Sequence, residues 1–300
     1  MSDRLLGTLF VIGSSTAFGA MAIFGVWAQD DGTDTMALVF FRFALASVVL
    51  IGAARLRGLV LPPLRRWWPV AAMGGIGYVG QASCYFLGLQ YAQASLVALL
   101  LYLFPAFVTV LAVVFLRERP GVVMVAALAM SLAGTALVVG GGSGRPLGIA
   151  LGIGAAMIYS VYIVIGSVVT HGLDPVFVST VVCCAAAVVT GLILVVLALA
   201  GHRQSFPNHA RGWGSLVAIA VVCTAFAVLA FFAGLARLGP TATSVLSTVE
   251  PVVTVVLAAA LLDERLSGVQ AIGGALVLAA VVWLAVVQRR PVAAVETPPI

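Results

Sequence analysis

Ten stretches of about 20 almost continuously apolar residues take up most of this chain, more greasy surface than a water-soluble fold can hide. They run over Leu5–Ala28, Thr35–Ala54, Trp68–Gln90, Ser95–Leu116, Val122–Val139, Leu147–Val169, Val176–Ala200, Trp213–Ala236, Thr241–Leu262 and Gly268–Gln288. The runs are too long for strands, and the alternating ten-residue segments of a membrane β-barrel are absent. Charged residues make up 8% of the 300 positions, against about 25% in soluble domains. Such a surface excludes a single soluble core, a disordered chain and a nucleic-acid binder. The expected fold class is an all-α integral membrane protein of ten transmembrane helices. The first run is too long for a secretory leader and is interrupted by Ser14, Ser15 and Thr16.

Every basic residue is arginine, fifteen in all, and their placement orients the chain. With the N-terminus inside, ten arginines fall on the cytoplasmic side (Arg4, Arg55, Arg57, Arg65, Arg66, Arg117, Arg119, Arg237, Arg289 and Arg290). Four fall outside (Arg145, Arg203, Arg211 and Arg265) and Arg42 lies within a span. This asymmetry predicts both termini in the cytoplasm. The first outer loop carries Asp30, Asp31 and Asp34 instead. Cys84, Cys183, Cys184 and Cys223 sit inside spans without metal-binding spacing and read as small packing residues.

A shift of 146 residues aligns the chain with itself. Ser95–Arg119 falls on Thr241–Arg265, so that Pro105 meets Pro251 and Glu118-Arg119 meets Glu264-Arg265. Phe86, Gly88 and Leu89 fall on Phe232, Gly234 and Leu235; apart from that shift, the first and sixth spans match loosely, with Leu6-Gly7 against Leu147-Gly148. Each copy holds five spans, an odd number, so the second should enter the membrane inverted. Repeats of that kind build carriers that open to the two sides in turn. The domains are then 1–144 and 145–290, with 291–300 a disordered cytoplasmic tail. Glu118-Arg119 should face the cytoplasm and Glu264-Arg265 the outside.

Together with Phe41-Arg42-Phe43 in the second span, both Pro-to-Glu-Arg segments and the Ala/Gly-rich fifth and tenth spans, this pattern resembles the drug/metabolite transporter superfamily. The resemblance is to its ten-helix type built of two EamA-like repeats, over about residues 5–288. Within that group the chain is most similar to bacterial exporters of aromatic and other amino acids. The resemblance implies a bacterial inner-membrane carrier of small molecules with no cofactor. It also implies a cavity lined by helices 1–4 and 6–9, with helices 5 and 10 peripheral. One departure is plain: the second copy has no arginine matching Arg42.

Polar side chains inside spans should face the interior of the bundle. Thr243, Ser247, Glu250 and Thr254 share one face of the ninth span, with Ser244 beside them. Glu250 is near mid-membrane and reads as a proton site, an amine-recognition site or a hydrogen-bonded packing acid. Tyr78, Gln81 and Tyr85 share a face of the third span, and Ser95, Tyr102 and Thr109 follow a seven-residue spacing in the fourth. With Tyr159 and Tyr162 in the sixth they form either an amphipathic wall for an aromatic or apolar ligand or aromatic filler. Candidate substrate-binding residues are therefore Tyr78, Gln81, Tyr85, Tyr102, Tyr159, Ser244, Ser247 and Glu250. Pro105 and Pro251 each remove a backbone donor, freeing the carbonyls of Leu101 and Ser247, and act as paired hinges or static kinks. Arg42 snorkels outward, binds a carboxylate or forms a structural or gating ion pair. Glu250, Arg42, Pro105 and Pro251 are the coupling and gating candidates. Helices 5 and 10, with only Ser131 and Thr135 polar in the fifth, suit a scaffold or a homodimer contact. Gly148, Gly152, Ala155 and Ala156 mark close helix packing.

No lysine means no Walker A motif, so ATP is not the direct power source. HExxH and GxSxG are missing, and Asp30-Asp31-x-x-Asp34 lacks the second acidic cluster a metal–diphosphate site needs. The reading is a non-enzymatic secondary transporter exporting small metabolites, most of all amino acids. The alternatives are a channel or facilitator and, further off, a membrane-embedded enzyme.

Overall fold

Several helices begin where the sequence offers a cap or a proline. Ser2 accepts from the Leu5 amide to start α1 (Asp3–Asp30), and Asp34 accepts from the Met36 and Ala37 amides to start α2 (Thr35–Leu56). Asp174 does the same for α8 (Pro175–Leu199), whereas α7 (Pro146–Val169) opens on Pro146 itself. The computed structural model describes residues 2–59, 63–88, 91–92, 97, 100–139, 145–261 and 267–288. The predicted Glu264-Arg265 pair, Ser95 and the tail 291–300 lie outside the described residues.

The described residues are all-α, and each expected run holds helix. Six helices are long and apolar enough to cross a membrane, and Phe104–Leu116, Val122–Leu137 and Ala271–Leu284 are apolar but shorter. The third run is a composite: α3 (Leu64–Ala72), a π-helical turn over Met73–Tyr78, and α4 (Val79–Gly88). The fourth resolves into α5 (Phe104–Leu116), the fifth into α6 (Val122–Val139). The eighth run is again α9 (Ala210–Ala220), a π-helical turn over Val221–Phe226, and α10 (Ala227–Leu238). The ninth is two helices, α11 (Pro240–Leu246) and α12 (Val249–Leu261), and the tenth is α13 (Gly268–Gln288).

Packing between the two copies is reciprocal. α1 lies on α9, α10 and α12, and its counterpart α7 lies on α4 and α5. Small residues permit these approaches. A Cβ on Gly19 of α1 would meet the Glu250 carbonyl oxygen at 2.8 Å, and one on Gly148 of α7 would meet the Ala92 nitrogen at 2.9 Å. The first π-helical turn presses on α8, where a Cβ on Gly74 would sit 2.3 Å from the Val182 carbonyl oxygen. At the periphery α6 packs on α13, where a Cβ on Gly134 would meet the Gly273 carbonyl oxygen at 2.7 Å. Ser131 and Thr135 are buried in α6. The small residues of α6 thus serve its contact with α13 of the same chain, while both helices keep apolar residues such as Val125, Ile272 and Val282 exposed.

Chain ends and loops sort to two poles. At one, Arg237 Nε donates to Asp3 (3.0 Å), and a left-handed Arg117 (φ 56°) turns Glu118 onto the Thr241 hydroxyl at 2.5 Å. At the other, Asp31 receives the His209 amide (2.8 Å) and contacts the His209 ring, and Asn208 donates to the Asp31 carbonyl at 2.9 Å. Phe41 packs edge-on against Phe206 and Trp213 beside this clasp, and Arg211 covers Trp27.

Candidate functional site

Arg42 points inward. Its residue is 7% exposed, which removes the snorkelling alternative, and its guanidinium is held by one residue from each copy. Nε donates to Thr224 Oγ1 at 3.0 Å and Nη2 donates to the Tyr78 hydroxyl at 2.5 Å. The cation also lies 4.9 Å from the Phe43 ring centroid and 5.4 Å from that of Tyr78. The expected ion pair is not formed with any described residue. The described salt bridges are Asp31 with His209 and Asp3 with Arg237, both at the poles.

Both partners of Arg42 come from the π-helical turns. Tyr78 closes the first turn, and Thr224 lies in the second. An extra residue in a helical turn leaves carbonyls without their usual partner. Thr224 uses its hydroxyl hydrogen on one of these, the Ile219 carbonyl at 2.8 Å, so that its lone pairs face Arg42. Thr224 and Tyr162 are the site residues that sequence reasoning missed or left unselected. The signal for Thr224 was available: the 146-residue offset places it on Tyr78.

Around the cation runs a continuous aromatic wall. Phe43 meets Tyr78 edge-on (5.1 Å between centroids), Tyr78 meets Tyr162 (5.7 Å), Tyr162 stacks on Tyr159 (6.1 Å), and Tyr159 meets Phe104 (4.9 Å). Glu250, half-buried at the start of α12, stands close to Tyr102, with Tyr85, Tyr159 and Arg42 around it. The predicted residues Tyr78, Tyr85, Tyr102, Tyr159, Arg42 and Glu250 therefore do converge. Gln81 is half-buried on α4, one turn from Tyr78, and makes no hydrogen bond to another described residue.

The expected polar stripe of the ninth span does not survive as one face. The helix breaks at Ser247–Thr248, between α11 and α12. The Ser247 carbonyl that Pro251 leaves free is taken by the Glu250 amide in a tight turn (3.1 Å). Ser244 and Ser247 are turned away from a ligand: both are buried and donate to the Thr241 (2.8 Å) and Thr243 (2.9 Å) carbonyls of their own helix. Thr254 donates to the Gly19 carbonyl of α1 at 3.0 Å, fixing the turn that carries Glu250. Pro105 is buried at the start of α5, after a turn at Tyr102–Leu103 that matches the α11–α12 break within one residue of the offset. Each proline thus stands in the first turn of a new helix, where its missing donor costs least.

No group of three or more His, Cys, Asp or Glu suited to a metal occurs among the described residues. The family model of the EamA-like transporter family matches the chain twice, over residues 5–140 and 146–286. The chain belongs to the EamA-like transporter family. A protein of Archaeoglobus fulgidus described as an uncharacterized transporter is 26% identical over 255 residues, covering 83% of this chain and 86% of its own. The uncharacterized transporter YcbK of Bacillus subtilis is 23% identical and covers 90% of each chain. An aromatic amino acid exporter, YddG of Ancylobacter novellus, is 33% identical over 107 residues, 36% of this chain and 37% of its own. A solved crystal structure superposes with a TM-score of 0.82 at 24% identity, covering 94% of this chain and 98% of that one. The EamA-like fold therefore spans the described helices, and the protein is a multi-pass membrane transporter.

Proposed function

We propose that this EamA-like transporter is a secondary carrier exporting small amphipathic metabolites, foremost amino acids with aromatic or apolar side chains. The observation that carries the reading is the centre of the bundle: a buried cation and a carboxylate, not paired with each other, inside one aromatic wall. A zwitterion with an apolar side chain complements such a place, because each of its charges finds an opposite and its ring finds tyrosine. The named function of the partial relative from Ancylobacter novellus points the same way.

In this reading the two copies are inverted in an inner membrane, with both termini cytoplasmic, and rock around the shared centre. The breaks at Tyr102–Leu103 and Ser247–Thr248 are the flexible points ahead of Pro105 and Pro251. Glu250 couples flux to protons, releasing its proton on one side as substrate is exchanged. Tyr78, Gln81, Tyr85, Tyr102 and Tyr159 contact substrate, whereas Ser244 and Ser247 shape the break.

The test is counterflow in proteoliposomes holding the full chain. Labelled phenylalanine should move saturably, be stimulated from the trans side and follow an imposed pH gradient. Glu250→Gln should lose the gradient response and raise the half-saturation of counterflow, because the substrate ammonium loses its carboxylate. Non-saturating flux without counterflow would identify a channel and sink the carrier reading. An unchanged gradient response in Glu250→Gln would remove the coupling role.

A further inference from the structure

Arg42, like Glu250 with its counterpart Phe104, has no equivalent in the other copy, and it is held by two residues at equivalent positions of the repeat. Its counterpart at an offset of 146 is Val188, an exposed aliphatic residue. Tyr78 and Thr224, by contrast, are exact counterparts under that offset, each in the π-helical turn of its own copy. Two equivalent hydroxyls thus converge on a single guanidinium from opposite copies.

What the two hydroxyls leave over is informative. A guanidinium has five N–H donors in a planar fork. One, on Nε, goes to Thr224 and one, on Nη2, goes to Tyr78. The remaining three, both on Nη1 among them, reach no acceptor among the described residues, and no described carboxylate lies within 4 Å. The aromatic faces of Phe43 and Tyr78 soften the charge without using these donors. The residue is 93% removed from solvent, yet its unfilled edge is not sealed among packed atoms, so it stays open to an anion. The edge that remains has the spacing of a carboxylate.

We infer that Arg42 is the carboxylate-binding end of the site, with Thr224 and Tyr78 as positioning residues that hold its free fork toward the centre. The inference rests on the carrier reading above and deepens it by assigning which substrate group meets which charge. Discrimination should therefore follow the carboxylate: a solute that has lost it loses the contribution of Arg42, whatever its side chain.

The experiment compares phenylalanine, phenylalaninamide and phenethylamine as competitors of labelled phenylalanine counterflow in proteoliposomes. Wild type should favour phenylalanine over the two carboxylate-free analogues. Arg42→Gln should raise half-saturation for phenylalanine about 10- to 100-fold and abolish that preference, since a charge-assisted pair is lost. Thr224→Val keeps the shape but removes the acceptor for Nε. It should raise half-saturation about 2- to 10-fold at unchanged maximal rate, with no effect on phenethylamine. Thr224→Ser restores the oxygen and should return half-saturation to the wild-type value. Thr224→Val also keeps the question answerable if Arg42→Gln fails to fold. If wild type moves phenylalanine and the variants retain its preference over the amide, this assignment is overturned and the carrier reading stands. If wild type takes up no carboxylate-bearing solute at all, both fall together.

Discussion

A single methyl group on Gly74 should damage this protein more than its size suggests. The Cβ of Gly74→Ala would lie 2.3 Å from the Val182 carbonyl oxygen, 2.8 Å from its Cα and 2.9 Å from its carbonyl carbon. Ordinary carbon–oxygen contacts are about 3.3–3.6 Å, so α8 would have to retreat by about 1 Å. All three obstructing atoms are backbone, so no side-chain rotation relieves the clash. Overpacking of this kind costs about 1–3 kcal/mol. The displaced turn also ends in Tyr78, whose hydroxyl accepts from Arg42, so the strain is delivered to the site. Gly80→Ala is the control. Its Cβ meets nothing within 4 Å, and a helical Gly-to-Ala change is favourable by up to about 1 kcal/mol. Thermal unfolding in detergent, followed by size-exclusion fluorescence, should place Gly74→Ala several degrees below wild type and Gly80→Ala at or above it. Phenylalanine counterflow should fall in the first and persist in the second. A Gly74→Ala protein that melts with wild type would show that the two helices are not in the contact described, and the reasoning would fail.

Two other perturbations follow from the same geometry. Gly19→Ala would drive its Cβ to 2.8 Å from the Glu250 carbonyl and 2.9 Å from Val253 Cβ, so it should cost about 1–3 kcal/mol and disturb the pH-gradient response, whereas Gly25→Ala, open within 4 Å, should do neither. At the pole where Asp31 meets His209, the His209 ring and then its amide hold the Asp31 carboxyl below its ordinary value of 3.8. A depressed carboxylate contributes stability above its unfolded pKa and loses it as pH falls through the folded one. The clasp should therefore be intact at neutral pH and release in strong acid; Asp31→Asn should flatten that acid limb of the melting curve, and an identical limb in both proteins would dismiss the clasp.

The helices and the repeat were legible because lipid imposes length and apolarity on each span, and because a duplicated Pro-to-Glu-Arg segment survives in both copies. The inward direction of Glu250 followed from the cost of placing charge in hydrocarbon. For Arg42 that cost left outward snorkelling and inward placement both open, and the structure decides between them. The π-helical turns were not legible. They depend on tertiary demands, such as the fit of Gly74 to Val182 and the Arg42 bond to Thr224, that no local periodicity encodes. For the same reason spacing alone mistook Ser244 and Ser247 for ligands. An unbroken helix would have placed Ser247 on the face of Glu250 with Ser244 beside it, whereas in the structure both hydroxyls bond their own backbone ahead of the break at Ser247–Thr248.

The contact between α6 and α13 has a mechanical consequence. A Cβ on Gly134 would meet the Gly273 carbonyl oxygen at 2.7 Å and the Val277 nitrogen at 2.9 Å, so the bare glycine lets one helix of each copy lie against the other along a narrow line. Slippage along that line would push Val277 into the notch, while rotation about it would leave the notch filled. If the two copies rock as proposed, this line would behave like the spine of a book: the two covers would swing, the binding would stay where it is, and the greatest travel would fall at the edge farthest from it.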